Sequence, residues 1–132
     1  MKRTILFVVL AAGAVGAQGA KAPTVKEIMT QLNKPSTGLY TGMARELREA
    51  DPEWGDLKEA TKEIVKLTQE LGKAKPPKGE KASWEKLTKA YAADAKALDA
   101  AVGKKDRKTA QAVYARMGEK TCNACHEVHR KK

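Results

Sequence analysis

The residues in this chain best suited to chemistry are two cysteines and a histidine near its C-terminal end. Cys122, Cys125 and His126 form the pattern Cys-x-x-Cys-His, the attachment signature of a c-type haem. On a helix the two thiols lie about one turn apart, so both can reach the vinyl groups of a single porphyrin. The adjacent imidazole can then bind the iron from one face. The pattern predicts one covalent haem c, with Cys122 and Cys125 as thioether links and His126 as an axial iron ligand.

Three other uses of these residues stay open at the level of sequence. A zinc site could combine Cys122, Cys125, His126 and His129, although such sites usually join two separated ligand clusters. A redox dithiol of the thioredoxin kind expects a preceding strand, and no strand pattern occurs. Since the chain has only two cysteines, they could also pair in a short disulfide. Haem attachment is the favoured interpretation, and His129 is expected to be an inert surface residue.

The N-terminal segment is typical of a secretory signal peptide. Two basic residues precede an apolar run over residues 5–15, and small residues follow. Cleavage is expected after Ala17 or Ala20, which makes residues 1–20 the leader and residues 21–132 the mature domain. The apolar run is shorter than the ~20 residues that a membrane-spanning helix needs. We therefore expect export to the periplasm, the compartment in which haem attachment of this type is completed.

Basic side chains exceed acidic ones in the whole chain and in the mature domain. The chain has 26 Lys and Arg against 16 Asp and Glu, and loss of Lys2 and Arg3 leaves 24 against the same 16. The lysines are spread over every segment and interleaved with acids. This distribution favours a solvated helical surface over a nucleic-acid-binding face, and export also argues against a nucleic-acid partner.

Beyond the leader, apolar residues recur at helical spacing. Thr24 and Glu27 form a capping box that starts a first helix. Pro35 interrupts this helix, because proline removes a hydrogen-bond donor and crowds the preceding turn. Helical spacing resumes over residues 39–50. The sequence predicts either one first helix kinked near Pro35 or two short helices.

Three further helices are predicted from residues that start and stop helices. These residues are, in chain order, Asp51-Pro52 and Gly72, then Ser83 and Gly103, and finally Asp106. Residues 73–82 form a linker, and the last helix runs into the haem motif. Trp54 and Trp84 lie in first turns and are expected to pack in the core or at an end of the bundle. Since short connections favour antiparallel neighbours, the sequence predicts an all-α, up-down antiparallel four-helix bundle.

A signal peptide, four helices and a haem motif at the end of the last helix resemble the class II c-type cytochromes, the group of cytochrome c′ and cytochrome c556. Ordinary small cytochromes c carry the motif near their N-terminus. The stretch from Cys122 to Arg130 is also similar to the family pattern Cys-x-x-Cys-His-x-x-x-Arg. The resemblance covers essentially the whole mature chain. It implies a periplasmic monohaem carrier of single electrons that serves redox partner proteins, with Arg130 near the proximal side of the haem.

The residue opposite His126 separates two branches of this family. In the c556-like branch a methionine of the first helix is the sixth iron ligand, and the protein is a closed electron carrier. In the c′-like branch an apolar residue leaves the iron five-coordinate and able to bind nitric oxide or carbon monoxide. Residues 27–29 resemble the ligand-bearing stretch of the c556 type, so Met29 is the expected sixth ligand and an open site is the alternative. Met43 and Met117 are poorer candidates because of their positions along the helices.

The chain departs from the family pattern in its first helix. The family commonly has an arginine there, near the haem propionates, and none occurs between Thr24 and Arg45. Lys26 and Lys34 are the available basic replacements. Family members often pair through their first two helices, so a homodimer is an expectation that the break at Pro35 weakens. A haem peroxidase would need a distal acid–base residue, and both histidines lie at the motif end, so the chain is not expected to be an enzyme.

Overall fold

The computed structural model describes residues 21–132 and shows an all-α chain without a β-strand in that range. The predicted leader and the expected cleavage positions, Ala17 and Ala20, lie outside the described residues. The helices are α1 (Val25–Asn33), α2 (Leu39–Glu46), α3 (Trp54–Lys73), α4 (Lys81–Gly103), α5 (Arg107–Arg116) and α6 (Asn123–His129), with a π-helical segment (Met117–Cys122) between α5 and α6. None of the helices within residues 21–132 combines the length and apolar character that a bilayer crossing requires.

Two helix starts lie where the sequence predicts them. At α1, the Thr24 hydroxyl accepts a hydrogen bond from the Glu27 amide at 3.2 Å, and the Glu27 carboxylate accepts one from the Thr24 amide at 2.7 Å. At α5, the Asp106 carboxylate accepts a hydrogen bond from the Thr109 amide at 3.0 Å. Both caps satisfy amides that have no partner inside the helix, so the capping-box and N-cap predictions are confirmed.

The chain breaks at Pro35 into two short helices rather than one kinked helix. Ser36 has φ of +65°, outside the helical range. Gly38 then passes so close to α1 that a Cβ atom there would lie 2.6 Å from the carbonyl oxygen of Leu32. The return of the chain therefore requires a glycine, and α2 starts in a new direction immediately after it.

Helix α3 starts later than the sequence predicts. Its N-cap is Glu53 rather than Asp51, and its first backbone hydrogen bond joins the Leu57 amide to the Glu53 carbonyl at 3.1 Å. Pro52 is buried in the segment before the helix and packs there instead of occupying the first helical position. At the other end, the helix continues one residue beyond Gly72, to Lys73.

Helix α4 starts three residues earlier than predicted, at Lys81, with Glu80 as its N-cap instead of Ser83. The predicted cap, Ser83, uses its hydroxyl elsewhere. That oxygen lies 2.9 Å from Nε2 of His129 and 3.1 Å from the Glu80 carbonyl oxygen. Because the hydroxyl is occupied by these partners, it does not cap the helix.

The described helices pack against one another around one apolar core. The most extensive contact is between α3 and α4, and α2 packs on α3 while α5 packs on α4. The largest fully buried apolar side chains are Ile28, Leu32, Met43, Leu57, Ile64, Leu71, Leu98, Val102 and Met117. The predicted apolar stripes therefore face the core, and Trp84 is buried as predicted while Trp54 is half-buried.

A pair of tyrosines joins α2 to α5. The rings of Tyr40 and Tyr114 stack with centroids 4.2 Å apart. The Tyr40 hydroxyl donates to the Tyr114 carbonyl at 2.7 Å, and the Tyr114 hydroxyl donates to the Tyr40 carbonyl at 3.0 Å. Gly118 permits this approach, because a Cβ there would lie 2.8 Å from the Tyr40 hydroxyl. The start of the π-helical segment is thereby held against α2.

Candidate functional site

The π-helical segment positions Cys122, its last residue, against α4. On α4, the Asp94 carboxylate accepts a hydrogen bond from Nε of Arg116 at 3.0 Å and another from the Thr121 hydroxyl at 2.6 Å. Asp94 thus connects the residue just before the π-helical segment, Arg116, with Thr121 near its end. Segments of π-helix are rare and occur frequently at functional sites. The sequence predicts an unbroken α-helix here, and Gly118, the one glycine of the segment, does not by itself identify a π-helical turn.

The three motif residues lie in partly desolvated surroundings. Cys125 is buried, Cys122 and His126 are half-buried, and both cysteines are free thiols. Burial raises the pKa of both thiols, and the neighbouring Cys125 adds to the effect on Cys122. Burial also lowers the pKa of His126, with a smaller contribution from the nearby Arg130. The imidazole is therefore held neutral near pH 7, the form that binds iron.

A cavity of about 660 Å³ opens beside the motif, a volume in the usual range for small-molecule and cofactor sites. It lies between α1, the start of α4 and the C-terminal end of the chain. Its lining residues are Val25, Lys26, Met29, Asn33, Pro77, Trp84, Cys125, His126, His129, Arg130 and Lys131. The structure therefore brings the predicted sixth ligand, Met29, and the predicted axial ligand, His126, to one cavity.

A second, smaller cavity of about 20 Å³ adjoins the first on the core side. It shares four lining residues with the larger one: Met29, Asn33, Cys125 and His126. Its other walls come from Leu71 of α3, Tyr91 of α4 and the end of the π-helical segment, including Cys122. Met29, Cys122, Cys125 and His126, the predicted ligands and attachment residues, thus line two adjoining cavities.

Helix α1 presents Met29 to this region because its other face is anchored in the core. Ile28 and Leu32, one turn apart, are both fully buried. Met29 and Asn33, also one turn apart, follow each of them by one position and remain half-buried. The two alternative methionines, Met43 and Met117, are buried in the core and do not line either cavity.

Tyr91 contributes an unpaired polar atom to the smaller cavity. Its side chain is only 5% exposed, and within residues 21–132 its hydroxyl makes no hydrogen bond of good geometry, the Cys122 thiol being its polar neighbour. Burial raises its pKa well above the usual value, and the neighbouring Cys122 thiol contributes. A buried hydroxyl without a partner is costly, so its position in the wall of the site fits a region that receives a further group. Sequence analysis places Tyr91 only on the apolar stripe of α4.

Basic side chains surround the mouth of the larger cavity. Lys26, Arg130 and Lys131 line it and are exposed to solvent, whereas Lys34 is not among the lining residues. Arg130 also lines a neighbouring surface cavity together with His126. Of the two lysines, Lys26 therefore lines the larger cavity, and Arg130 lines two cavities together with His126.

His129 is buried, so the expectation of an inert surface residue is wrong. Its side chain is 1% exposed, and its ring meets Trp84 edge-on with centroids 5.2 Å apart. Nδ1 lies 2.5 Å from the Lys78 carbonyl oxygen, and Nε2 lies 2.9 Å from the Ser83 hydroxyl. Gly79, with φ of +80°, lets the loop approach, since a Cβ there would lie 2.9 Å from Nδ1. His129 therefore fastens the α3–α4 loop to the end of α6.

These contacts bear on the other uses of the motif. Both His129 ring nitrogens are engaged by other partners, and within residues 21–132 no three His, Cys, Asp or Glu side chains converge as a metal site. Reactive dithiols and thiolate ligands have lowered thiol pKa values, whereas the pKa values of Cys122 and Cys125 are raised. The environment thus favours neutral thiols beside a neutral imidazole.

Comparison with known proteins gives no match: no family model, no curated protein and no solved structure is similar to this chain.

Proposed function

We propose that this chain is an exported monohaem cytochrome of the class II c type that carries single electrons between redox partner proteins. The proposal depends above all on one observation. Met29 of α1 lines the same cavity as Cys125 and His126 of α6, although these helices lie at opposite ends of the domain sequence. A methionine and a Cys-x-x-Cys-His motif facing one region are the groups that a six-coordinate c-type haem requires.

The roles of the residues follow from their chemistry. Cys122 and Cys125 would supply the two thioether links, and their spacing on the π-helical segment and α6 fixes one edge of the group. His126 would bind the iron through a ring nitrogen, which its lowered pKa keeps unprotonated near pH 7. Met29 would bind from the other side. When bound, the haem supplies an iron that gains and loses one electron with its ligands retained.

The walls of the two cavities suit such a group. Leu71, Trp84 and Val25 provide apolar surface in the walls of the cavities that Met29 and His126 also line. Lys26 and Arg130, at the solvent side, would pair with the haem carboxylates. The apolar ring of the haem would then be buried, and its two carboxylates would stay near basic side chains. This arrangement is favourable because a buried charge is costly unless it is paired.

The proposed arrangement of helices is an up-down antiparallel four-helix bundle. The broken pair α1 and α2 serves as the first helix, α3 and α4 as the second and third, and α5 through α6 as the fourth. The contacts of α2 with α3, of α3 with α4 and of α4 with α5 support this order. For the leader, we propose a signal peptide cleaved after Ala17 or Ala20 and a periplasmic location.

Absorption spectra of the mature protein in both oxidation states test the proposal. The protein is produced in a host that attaches c-type haem. The oxidised protein should show low-spin bands and a sulfur-to-iron charge-transfer band, and the reduced protein should not bind carbon monoxide readily. A high-spin spectrum without that band would contradict the carrier function with Met29 as ligand.

A second candidate function is a five-coordinate haem protein that binds nitric oxide or carbon monoxide. One observation favours it: Met29 is only half-buried and borders a cavity of about 660 Å³, so the side chain has space to lie away from the iron. In that case the reduced wild-type protein would bind carbon monoxide without any substitution. Carbon monoxide titration therefore separates the two functions.

A further inference from the structure

Asn33 lies on the same face of α1 as Met29 and one turn after it. Its amide nitrogen Nδ2 is 3.3 Å from the Met29 carbonyl oxygen and 3.8 Å from the Met29 sulfur. An asparagine amide has two hydrogens, so the nitrogen can serve both acceptors at once. Both side chains line both cavities. The amide is therefore part of the site and touches the atom proposed to bind iron.

We propose that Asn33 is a positioning residue that holds the Met29 sulfur for the iron and tunes its strength as a donor. This inference rests on the proposed function. A thioether sulfur has two lone pairs. A hydrogen bond from Asn33 to one of them restricts the flexible Met29 side chain and leaves the other for the metal. It also withdraws electron density from the sulfur, which favours the reduced iron over the oxidised iron and raises the reduction potential.

The anchoring of α1 makes this geometry persistent. The capping box at Thr24 and Glu27 fixes the start of the helix, and the buried Ile28 and Leu32 fix its rotation about its own axis. An asparagine that only bonded the carbonyl four residues earlier would be a common local feature of helices. The contact with sulfur inside the cavity distinguishes Asn33 from that simple role, and it gives a measurable consequence.

The test compares Asn33→Leu, which removes the amide at similar size, with a control in the same helix. Thr30 makes a matching side-chain bond to the carbonyl four residues earlier, at 2.8 Å to Lys26, and lines neither cavity. Thr30→Val therefore removes a comparable bond on the solvent side. Midpoint potential, the sulfur-to-iron band and carbon monoxide affinity of the reduced holoprotein are measured for both variants and for the wild type.

We expect Asn33→Leu to lower the midpoint potential, because the sulfur loses a hydrogen bond that favours the reduced iron. The apparent carbon monoxide affinity should increase about two- to tenfold, the equivalent of one hydrogen bond, because the Met29 side chain is no longer held in place and this loss outweighs the stronger sulfur donor. Thr30→Val should change neither quantity. Asn33→Asp, of the same size but with no amide hydrogens, should lower the potential further and serves if the leucine variant does not fold.

Three results would overturn the inference. In the first, the wild type shows the sulfur-to-iron band, and an Asn33 variant keeps the wild-type potential and carbon monoxide affinity. This result would exclude the role of Asn33 but leave the proposed function intact. Another is a Thr30→Val variant that shifts both quantities as much as Asn33→Leu. The third is a wild-type holoprotein without the band, which removes Met29 as ligand and the role of Asn33 together.

Discussion

Replacing His129 by alanine should destabilise the protein strongly, although this residue is close to the C-terminal end of the described chain and is not one of the proposed iron ligands. The imidazole is 1% exposed and holds the α3–α4 loop through Lys78 and the start of α4 through Ser83. It also packs on the edge of Trp84. The substitution removes all three contacts at once.

The magnitude can be worked from these contacts. Each lost hydrogen bond costs about 1 kcal/mol. Loss of the ring against Trp84, with the space it leaves behind, costs about 1–2 kcal/mol more. We therefore expect His129→Ala to lower the free energy of unfolding by about 3–4 kcal/mol, a large fraction of the total stability of a small domain.

Urea unfolding of the holoprotein, followed by helical circular dichroism, measures this loss. Val128→Ala is the matched control, because Val128 is adjacent in α6 and 42% exposed. It should change the free energy of unfolding by less than about 0.5 kcal/mol. If His129→Ala costs less than about 1 kcal/mol, or no more than the control, then His129 does not fasten the loop as the structure indicates.

The remaining predictions concern the iron ligand, a buried hydroxyl and a helix cap. Met29→Leu should abolish the sulfur-to-iron band and allow carbon monoxide to bind the reduced protein, and unchanged spectra would exclude Met29 as ligand. Tyr91→Phe should leave the free energy of unfolding unchanged or higher, since the Tyr91 hydroxyl makes no hydrogen bond of good geometry within residues 21–132. Tyr40→Phe should instead lower it by about 1 kcal/mol, because the Tyr40 hydroxyl donates to the Tyr114 carbonyl. Equal losses for the two variants in urea unfolding would contradict this. Hydrogen bonds from Thr24 hold the pKa of Glu27 below its usual 4.5. The ionised Glu27 carboxylate therefore stabilises the folded protein fully above pH 4.5, and this effect is lost as the pH falls through the lowered pKa. Glu27→Gln should therefore flatten the decline of the urea midpoint below pH 4.5, and an unchanged decline would refute the role of the cap.

Local signals in the sequence are sufficient for much of the fold. The apolar spacing of α3 and α4, the capping box at Thr24 and the cap at Asp106 depend on neighbours within a few residues, and the structure confirms them. The two displaced helix starts have tertiary causes. Pro52 is buried ahead of α3, and Ser83 is engaged by His129, a residue distant in sequence. No local pattern records such a contact.

The residues of the candidate site likewise include some that the sequence indicates and others for which it holds no local signal. The sequence proposes Cys122, Cys125 and His126 from their spacing and Met29 from its resemblance to the family's first helix, and the structure brings these side chains to two adjoining cavities. The sequence does not propose Asn33, Tyr91 or Asp94, because a polar residue on a helix has no sequence signal for what it meets across a cavity. The four-residue interval between Cys125 and His129 does place them on one helix face, and it is the signal that could have identified His129 as buried.

The central claim is that one haem is bound covalently through Cys122 and Cys125, and intact-mass spectrometry of the mature protein tests it most directly. The protein is matured in a host with a c-type haem assembly system and analysed under denaturing conditions. The account predicts a mass of the polypeptide from residue 18 or 21 plus one haem, retained after organic extraction, and the bare polypeptide mass for a variant with both cysteines replaced by alanine. A wild-type mass equal to the bare polypeptide would contradict the account.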